Sequence, residues 1–294
     1  MDFTRRSMLA GATALGLVAT TRGATAFQAA QGGSIFDKLE NAVNGKLYLA
    51  VLDTGTGHRL TWNADQRVGL CSTFKLPLAA AVMAGAEKGT LSLDAPVSIS
   101  AADLLDYAPA VKANLAKGSM TIGELARAAV TVSDNSAANL LLPQVGGPRG
   151  LTRYLREAGD TVTSIDHPEP LINRVRPGQD ADSTTPWAMA GLVNDLLFSQ
   201  LLTEAHRRTL AQWMIDSETG LKRIRAGLPV NWKAGDKTGT SGDGWYNDVA
   251  VAWPGEGRRP IVIASYLWAP EGQPDAADAV HAKIGELVGA LFAP

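Results

Sequence analysis

Apolar positions repeat in three different rhythms along this chain. From Ile35 to Val43, the residues Ile35, Phe36, Leu39 and Val43 recur near helical spacing and predict a short amphipathic helix, which Gly45 stops. Lys46 to Leu52 alternates, with Leu47, Leu49 and Val51 on one face, and reads as a strand. Thr54-Gly55-Thr56-Gly57 is a turn and His58 to Trp62 the returning strand, so a β-hairpin is expected. The rhythm then becomes helical. An alanine-rich helix is predicted from Ser72 to about Ala86, with others at Ile122–Val132, Ser136–Leu142, Gly150–Glu157, Pro186–Leu197 and Thr203–Ile215. Thr121 followed by Glu124 is a capping-box signal. Strands return after Trp232, at Lys233–Thr240, Asp248–Trp253 and Pro260–Trp268. A closing helix from Asp275 to Phe292 carries the stripe Ala277, Val280, Ile284, Leu287, Val288 and Leu291.

That order predicts an α/β protein of the α+β type: an antiparallel sheet formed from both chain ends and flanked by helices, with an all-helical domain inserted between. The expected units are residues 27–64 with 217–294, and residues 65–216, with the active site in the cleft between them. The length of 294 residues and 46% hydrophobic content suffice for a large core. The net charge of −2 and the lack of a basic block beyond the extreme N-terminus argue against nucleic-acid binding. The one cysteine, Cys71, has no intrachain disulfide partner; a small buried hydrophobe is favoured over a redox role.

Residues 1–26 read as an export signal. Arg5-Arg6 precede an apolar stretch from Met8 to about Ala19, and Ala24-Thr25-Ala26 offers a small-residue cleavage site. The pattern is twin-arginine-like, with cleavage after Ala26. The stretch is too short for a permanent span, so no stable membrane anchor is expected, and the chain is expected in the periplasm or secreted.

Three short motifs carry the candidate chemistry. Ser72-Thr73-Phe74-Lys75 places a hydroxyl and an amine three positions apart at a predicted helix start, where unpaired N–H groups favour developing negative charge. A serine needs something to take its proton, and a partly desolvated lysine near a second cation can do so. Alone, the pair fits a capping serine and a solvated lysine better. Ser133-Asp134-Asn135 falls between two predicted helices; Ser133 could relay a proton and Asn135 could hold an amide, though these residue types also favour a polar turn. Lys237-Thr238-Gly239 lies on a predicted strand, where Gly239 leaves room for a ligand backbone, and the N–H of Thr240 could join that of Ser72 in an oxyanion hole. Together they fit acyl transfer on a serine with no histidine required. The four histidines, His58, His167, His206 and His281, are scattered, so neither a zinc site nor another cofactor is expected.

The combination resembles class A β-lactamases and penicillin-binding proteins. Glu169-Pro170-Leu171-Ile172-Asn173 is similar to the class A omega loop, here about residues 164–184, whose pattern is Glu-Pro-x-x-Asn. The resemblance implies that Glu169 activates the water that clears the acyl-enzyme, that Asn173 helps bracket it, that Glu169-Pro170 is cis, and that Asn139 orients the glutamate. It also implies a cleft-edge role for Tyr107. Arg223 becomes the candidate partner for the substrate carboxylate with Thr238 and Thr240, the alternative being a surface arginine. Lys237 would sit near Ser133, and Ser241 would border the cephalosporin side-chain site.

One departure stands out. Family members usually carry an arginine two residues before the omega-loop glutamate, paired with an aspartate at the loop's far end. Here the first position is His167 while Asp182 remains, so the pair is expected to hold only when the histidine is protonated. A second is that Ser241 stands where the disulfide-bearing carbapenem-hydrolysing subgroup has a cysteine. The implied function is hydrolysis of the β-lactam amide of penicillins and cephalosporins by an exported monomer that confers antibiotic resistance. A D-alanyl-D-alanine peptidase would keep the three motifs without needing Glu169 and Asn173. A β-lactam sensor would acylate and stay acylated.

Overall fold

The computed structural model describes residues 34–255 and 257–292, so the export-signal reading of residues 1–26 lies outside the described residues. The chain begins with α1 (Ile35–Ala42), β1 (Lys46–Asp53), β2 (Arg59–Trp62) and β3 (Val68–Gly69). A 3₁₀ turn at Cys71–Phe74 leads into α2 (Lys75–Glu87). There follow β4 (Pro96–Ser98), α3 (Pro109–Asn114), β5 (Ser119–Thr121), α4 (Ile122–Thr131), α5 (Asn135–Leu141) and α6 (Gly147–Glu157). Next come β6 (Ser183–Thr184), α7 (Pro186–Phe198), α8 (Glu204–Ile215) and α9 (Ile224–Gly227). The chain closes with β7 (Lys233–Thr240), β8 (Trp245–Trp253), β9 (Ile261–Trp268) and α10 (Pro274–Phe292).

The main sheet has the order β2-β1-β9-β8-β7, every pair antiparallel, so both chain ends build it as expected. Its two faces serve different cores. Leu47, Leu49, Val51, Ile261 and Ile263 pack with α1, α9 and α10, whereas Tyr48, Ala50, Val249, Val262 and Tyr266 join the helical segment in one continuous core. A sheet buried on both sides needs apolar residues at successive positions. This explains why β1, β8 and β9 are nearly uninterrupted runs of buried residues rather than half-polar alternations. No helix among the described residues is long and apolar enough to cross a membrane.

Several boundaries differ from the sequence reading. The helix expected from Ser72 starts at Lys75, because residues 71–74 wind more tightly as a 3₁₀ turn. β8 begins at Trp245 rather than Asp248: Trp245 is fully buried, stacks edge-on against Trp268 and donates its indole N–H to the Val175 carbonyl at 2.6 Å. α6 starts at Gly147, with Pro148 in its first turn where a missing N–H costs nothing. The two- and three-residue strands β3 to β6 and the short α3 carry too little periodicity to be read locally. The Thr121–Glu124 capping box forms as expected, with Glu124 N donating to the Thr121 hydroxyl at 3.1 Å and Thr121 N to the Glu124 carboxylate at 2.8 Å.

Candidate active site

The 3₁₀ turn presses against β7. A Cβ at Gly239 would lie 3.0 Å from Cys71 Cβ and 3.2 Å from Ser72 N, so the glycine admits the turn that carries Ser72, and it also lines the cleft described below. This close approach sets the Ser72 N–H beside the end of β7. The Asn247 amide holds the residues just before the turn, donating to the Gly69 carbonyl at 2.8 Å and to the Leu70 carbonyl at 3.3 Å. Cys71 has a φ of 44° and Ser133 a φ of 57°, a conformation that costs an L-residue about 1–3 kcal/mol and that surrounding contacts must hold in place. The Cys71 thiol is fully buried and burial pushes its pKa far up, as expected of a small apolar residue rather than a reactive thiolate.

Lys75 is fully buried beneath Ser72. Its ammonium reaches Ser72 Oγ at 2.9 Å, the Ser133 carbonyl at 2.8 Å, Ser133 Oγ at 3.4 Å, the Asn135 side-chain oxygen and Glu169 Oε1 at 3.1 Å. Burial lowers its pKa, and the Glu169 carboxylate opposes that shift. Lys237 is buried equally and donates to Ser133 Oγ at 2.9 Å and to the Thr238 carbonyl at 2.8 Å. Burial, reinforced by the neighbouring Lys75, drives the Lys237 pKa well below its usual range. Two amines so desolvated give up a proton more readily than surface lysines do.

The residue between Ser133 and Asn135 works for the fold. Asp134 caps α5 by accepting from Ala137 N at 2.8 Å, and its second oxygen accepts from Ala110 N at 2.8 Å and Val111 N at 3.0 Å in the first turn of α3. One buried carboxylate thus ties two helix N-termini and fixes the flanking Ser133 and Asn135.

Glu169 lies beside Lys75 at Ser72, with Oε1 at 3.3 Å from Ser72 Oγ and 3.1 Å from Lys75 Nζ. Its Oε2 accepts from the Asn173 amide at 2.6 Å. Asn139 grips the Glu169 backbone rather than its carboxylate, donating to the carbonyl and accepting from the N–H, both at 2.9 Å. The Glu169-Pro170 bond is cis. The ends of the loop meet at buried Asp182, whose Oδ1 accepts from Asp166 N at 2.8 Å and His167 N at 2.9 Å, while Oδ2 pairs with His167 Nδ1 at 2.6 Å. That pairing raises the His167 pKa, although half of the imidazole side chain stays in water.

A cleft of about 270 Å³ is lined by Ser72, Tyr107, Ser133, Asn135, Asn173 and Thr238, and by Gly239, Thr240, Arg223 and Thr219. Tyr107 stands at its edge, 50% exposed, and its carbonyl receives the Asn135 N–H at 2.9 Å. Arg223 is only 7% exposed, which excludes the surface alternative. Its Nε pairs with Asp278 at 2.8 Å, Nη1 donates to the Gly239 carbonyl at 3.1 Å and the Asn247 carbonyl at 2.6 Å, and Nη2 donates to Thr240 Oγ1 at 2.8 Å. Among the described residues these acceptors occupy four of the five guanidinium N–H groups, leaving one on Nη2 for a ligand. Ser241 does not line this cleft: its hydroxyl turns back to accept from Trp245 N at 3.1 Å and closes the β7–β8 turn.

Thr219 is the cleft residue that sequence reading missed, together with the supporting Asn247 and Asp134. Thr219 belongs to the loop after α8, and nothing near it in the chain marks it as chemical.

Comparison with known proteins agrees with this geometry. A sequence model described as the β-lactamase enzyme family matches residues 34–292. The chain is 40% identical over 289 residues to β-lactamase L2 of Stenotrophomonas maltophilia, covering 97% of this chain and 95% of that protein. It is also 40% identical over 253 residues to the carbapenem-hydrolyzing β-lactamase KPC of Klebsiella oxytoca, covering 86% of each. The solved structure of a class A β-lactamase representing the last common ancestor of Gram-negative bacteria superposes with a TM-score of 0.84 at 47% identity, covering 87% of this chain and 97% of that one. A β-lactamase from Xanthomonas campestris pv. campestris gives a TM-score of 0.85 at 41% identity, covering 87% and 96%. With Lys75 and the omega-loop glutamate meeting at Ser72 and Lys237 at Ser133, the chain belongs to the β-lactamase enzyme family, in its class A branch.

Proposed function

We propose that this chain hydrolyses the β-lactam amide of penicillins and cephalosporins through an ester on Ser72. The observation that carries the assignment is that Ser72 Oγ touches two groups that can serve as its base, Lys75 Nζ at 2.9 Å once that amine is neutral and Glu169 Oε1 at 3.3 Å. Ser72 attacks the lactam carbonyl as its proton passes to one of them. The N–H groups of Ser72 and Thr240 hold the oxyanion. Ser133, bridged to both lysines, passes a proton to the ring nitrogen as the C–N bond breaks. The Glu169 carboxylate, held by Asn173, then takes a proton from water as that water attacks the ester, and Ser72 leaves with a proton. Thr238, Thr240 and the remaining Nη2 N–H of Arg223 hold the substrate carboxylate. Asn135 and Tyr107 border the substrate's side chain.

Intact-protein mass spectrometry with a penicillin and a chromogenic cephalosporin tests this. The wild-type chain should show an adduct that forms and clears with turnover, and Ser72→Ala should show none. An adduct that persists on the wild type without turnover would instead favour the peptidase or sensor chemistry. Export through residues 1–26 to the periplasm, as a monomer, is part of the same proposal; cell fractionation with and without Arg5-Arg6→Lys-Lys, and light scattering, check it.

The His167–Asp182 pair gives a pH prediction. Pairing raises the folded-state pKa of His167 above the ordinary ~6.5. Its stabilisation of the loop is therefore complete below about pH 6.5 and lost as pH rises through the raised value. The loss is partial. A neutral imidazole protonated on Nδ1 still donates to Asp182, and the two backbone N–H bonds to Asp182 do not titrate. Hydrogen exchange of residues 164–184, corrected for intrinsic rates, should quicken above neutrality with a parallel slowing of deacylation. His167→Arg should flatten both profiles. Flat wild-type profiles from about pH 5.5 to 8.5, a window spanning that reference value, would sink the idea.

A further inference from the structure

Thr219 Oγ1 lies 2.6 Å from Thr238 Oγ1, the one side-chain partner of the Thr238 hydroxyl among the described residues. A hydroxyl carries a single proton. If Thr238 spends it on Thr219, it faces an anion in the cleft with lone pairs only, which repels rather than binds. If Thr219 donates instead, the Thr238 proton is free to point into the cleft. Either hydroxyl can be the donor in this pair, so the state of Thr238 depends on what Thr219 does with its own proton.

The position of Thr219 is built. Glu218 N donates to the Thr131 carbonyl at 2.9 Å, and Arg225 Nη1 donates to the Ser217 carbonyl at 2.8 Å. Gly220 lies flat on buried Asp236, where a Cβ would fall 2.0 Å from a carboxylate oxygen. Ser217 Oγ stands 3.4 Å from Thr219 Oγ1, close to the Thr219–Thr238 pair. The loop after α8 thus holds one hydroxyl at hydrogen-bond distance behind the Lys237-Thr238-Gly239 strand.

We propose that Thr219 is a positioning residue for the substrate carboxylate: its hydroxyl donates to Thr238 Oγ1 and so aims the Thr238 proton at the anion. This rests on the reading of Thr238, Thr240 and Arg223 as the carboxylate site. The effect belongs to binding of the carboxylate group, in both ground and transition states, and so should appear mainly in KM.

The test compares a penicillin with its methyl ester on the wild-type enzyme and on Thr219→Val, Thr219→Ser, Thr238→Val and Arg223→Ala. Thr219→Val, which keeps shape and removes the hydroxyl, should lower the acid-to-ester ratio of kcat/KM by about tenfold, the scale of one hydrogen bond to a charged group. KM for the acid should carry most of the change, and Thr219→Ser should restore the ratio. The double variant Thr219→Val/Thr238→Val should lose little more than Thr238→Val alone. The inference is overturned if Thr219→Val keeps the ratio while Thr238→Val loses it, if acid and ester turnover fall together in Thr219→Val, or if Thr219→Ser fails to restore preference. Should Thr238→Val and Arg223→Ala also leave the ratio unmoved, the carboxylate-site reading itself has failed, and the inference with it.

Discussion

Glu169→Ala should convert this enzyme from a catalyst into a trap. Mixed with a penicillin, the variant should build up a Ser72 adduct that persists, while steady-state kcat falls about 10²–10⁴-fold, the range a positioned general base supplies. Three contacts underlie the expectation. Asn173 fixes Oε2 at 2.6 Å, Asn139 clamps the backbone of the same residue on both sides, and Lys75 holds Oε1 at 3.1 Å. A carboxylate held that firmly beside Ser72 is preorganised to deprotonate a water attacking the ester. Its removal also changes Lys75. The Glu169 charge is what opposes the desolvation of that lysine, so without it the Lys75 pKa should fall further and the neutral amine become more available as a base. Acylation should therefore survive as deacylation collapses. Rapid-quench mass spectrometry separates the two steps. If adduct formation vanishes as well, Glu169 is also the acylation base, and the role given to Lys75 shrinks to holding charge.

Lys75→Ala should damage both chemistry and stability. The ammonium is the hub of the site, with Ser72, Ser133, Asn135 and Glu169 all within hydrogen-bond reach. Without it, Ser72 loses its nearest proton acceptor and Ser133 one of its two lysines, so the acylation rate should fall by about 10²–10⁴-fold. The Glu169 carboxylate is then left buried without its cation. Breaking a buried pair from one side typically costs about 3–5 kcal/mol, since the remaining charge has neither water nor partner. Denaturant unfolding reads that cost directly. Adding Glu169→Gln to Lys75→Ala should recover much of the stability and none of the turnover. If the single variant unfolds at the wild-type midpoint, the pair contributes no net stability. If the double variant remains as unstable as the single, the loss came from the cavity left by the lysine side chain.

The same residues divide what was legible in the chain from what was not. The sheet strands and long helices could be read because hydrophobic period is local: β1 buries Leu47, Leu49 and Val51, and α10 buries Ala277, Val280, Ile284 and Val288 of its stripe, while Leu287 is half-buried and Leu291, in the last turn, is exposed. Ser72, Lys75, Ser133 and Lys237 could be singled out because each sits in a short motif whose residue types suit acyl transfer, and Glu169 and Asn173 because their segment resembles the class A omega loop. Gly239 was singled out for the ligand side of its strand, and the fold adds a second close neighbour there, the Cys71–Ser72 turn, which comes from far along the chain. Ser241 was drawn into the site by adjacency, whereas its hydroxyl caps the turn leading to Trp245.

By itself, then, the amino-acid sequence determined the α+β architecture, the nucleophile, the two amines and the loop carboxylate. Those features depend on residue type and on spacing over a few positions. Only the tertiary structure decided that Lys237, 104 positions from Ser133, would share its hydroxyl, and that both lysines would lie out of water with lowered pKa. It also decided that Arg223 would spend most of its fork on the strand it supports and that Thr219 would stand behind Thr238. Burial, desolvation and the direction of a hydroxyl proton are set by whichever atoms surround a group in space, and a linear chain does not specify those neighbours until it has folded.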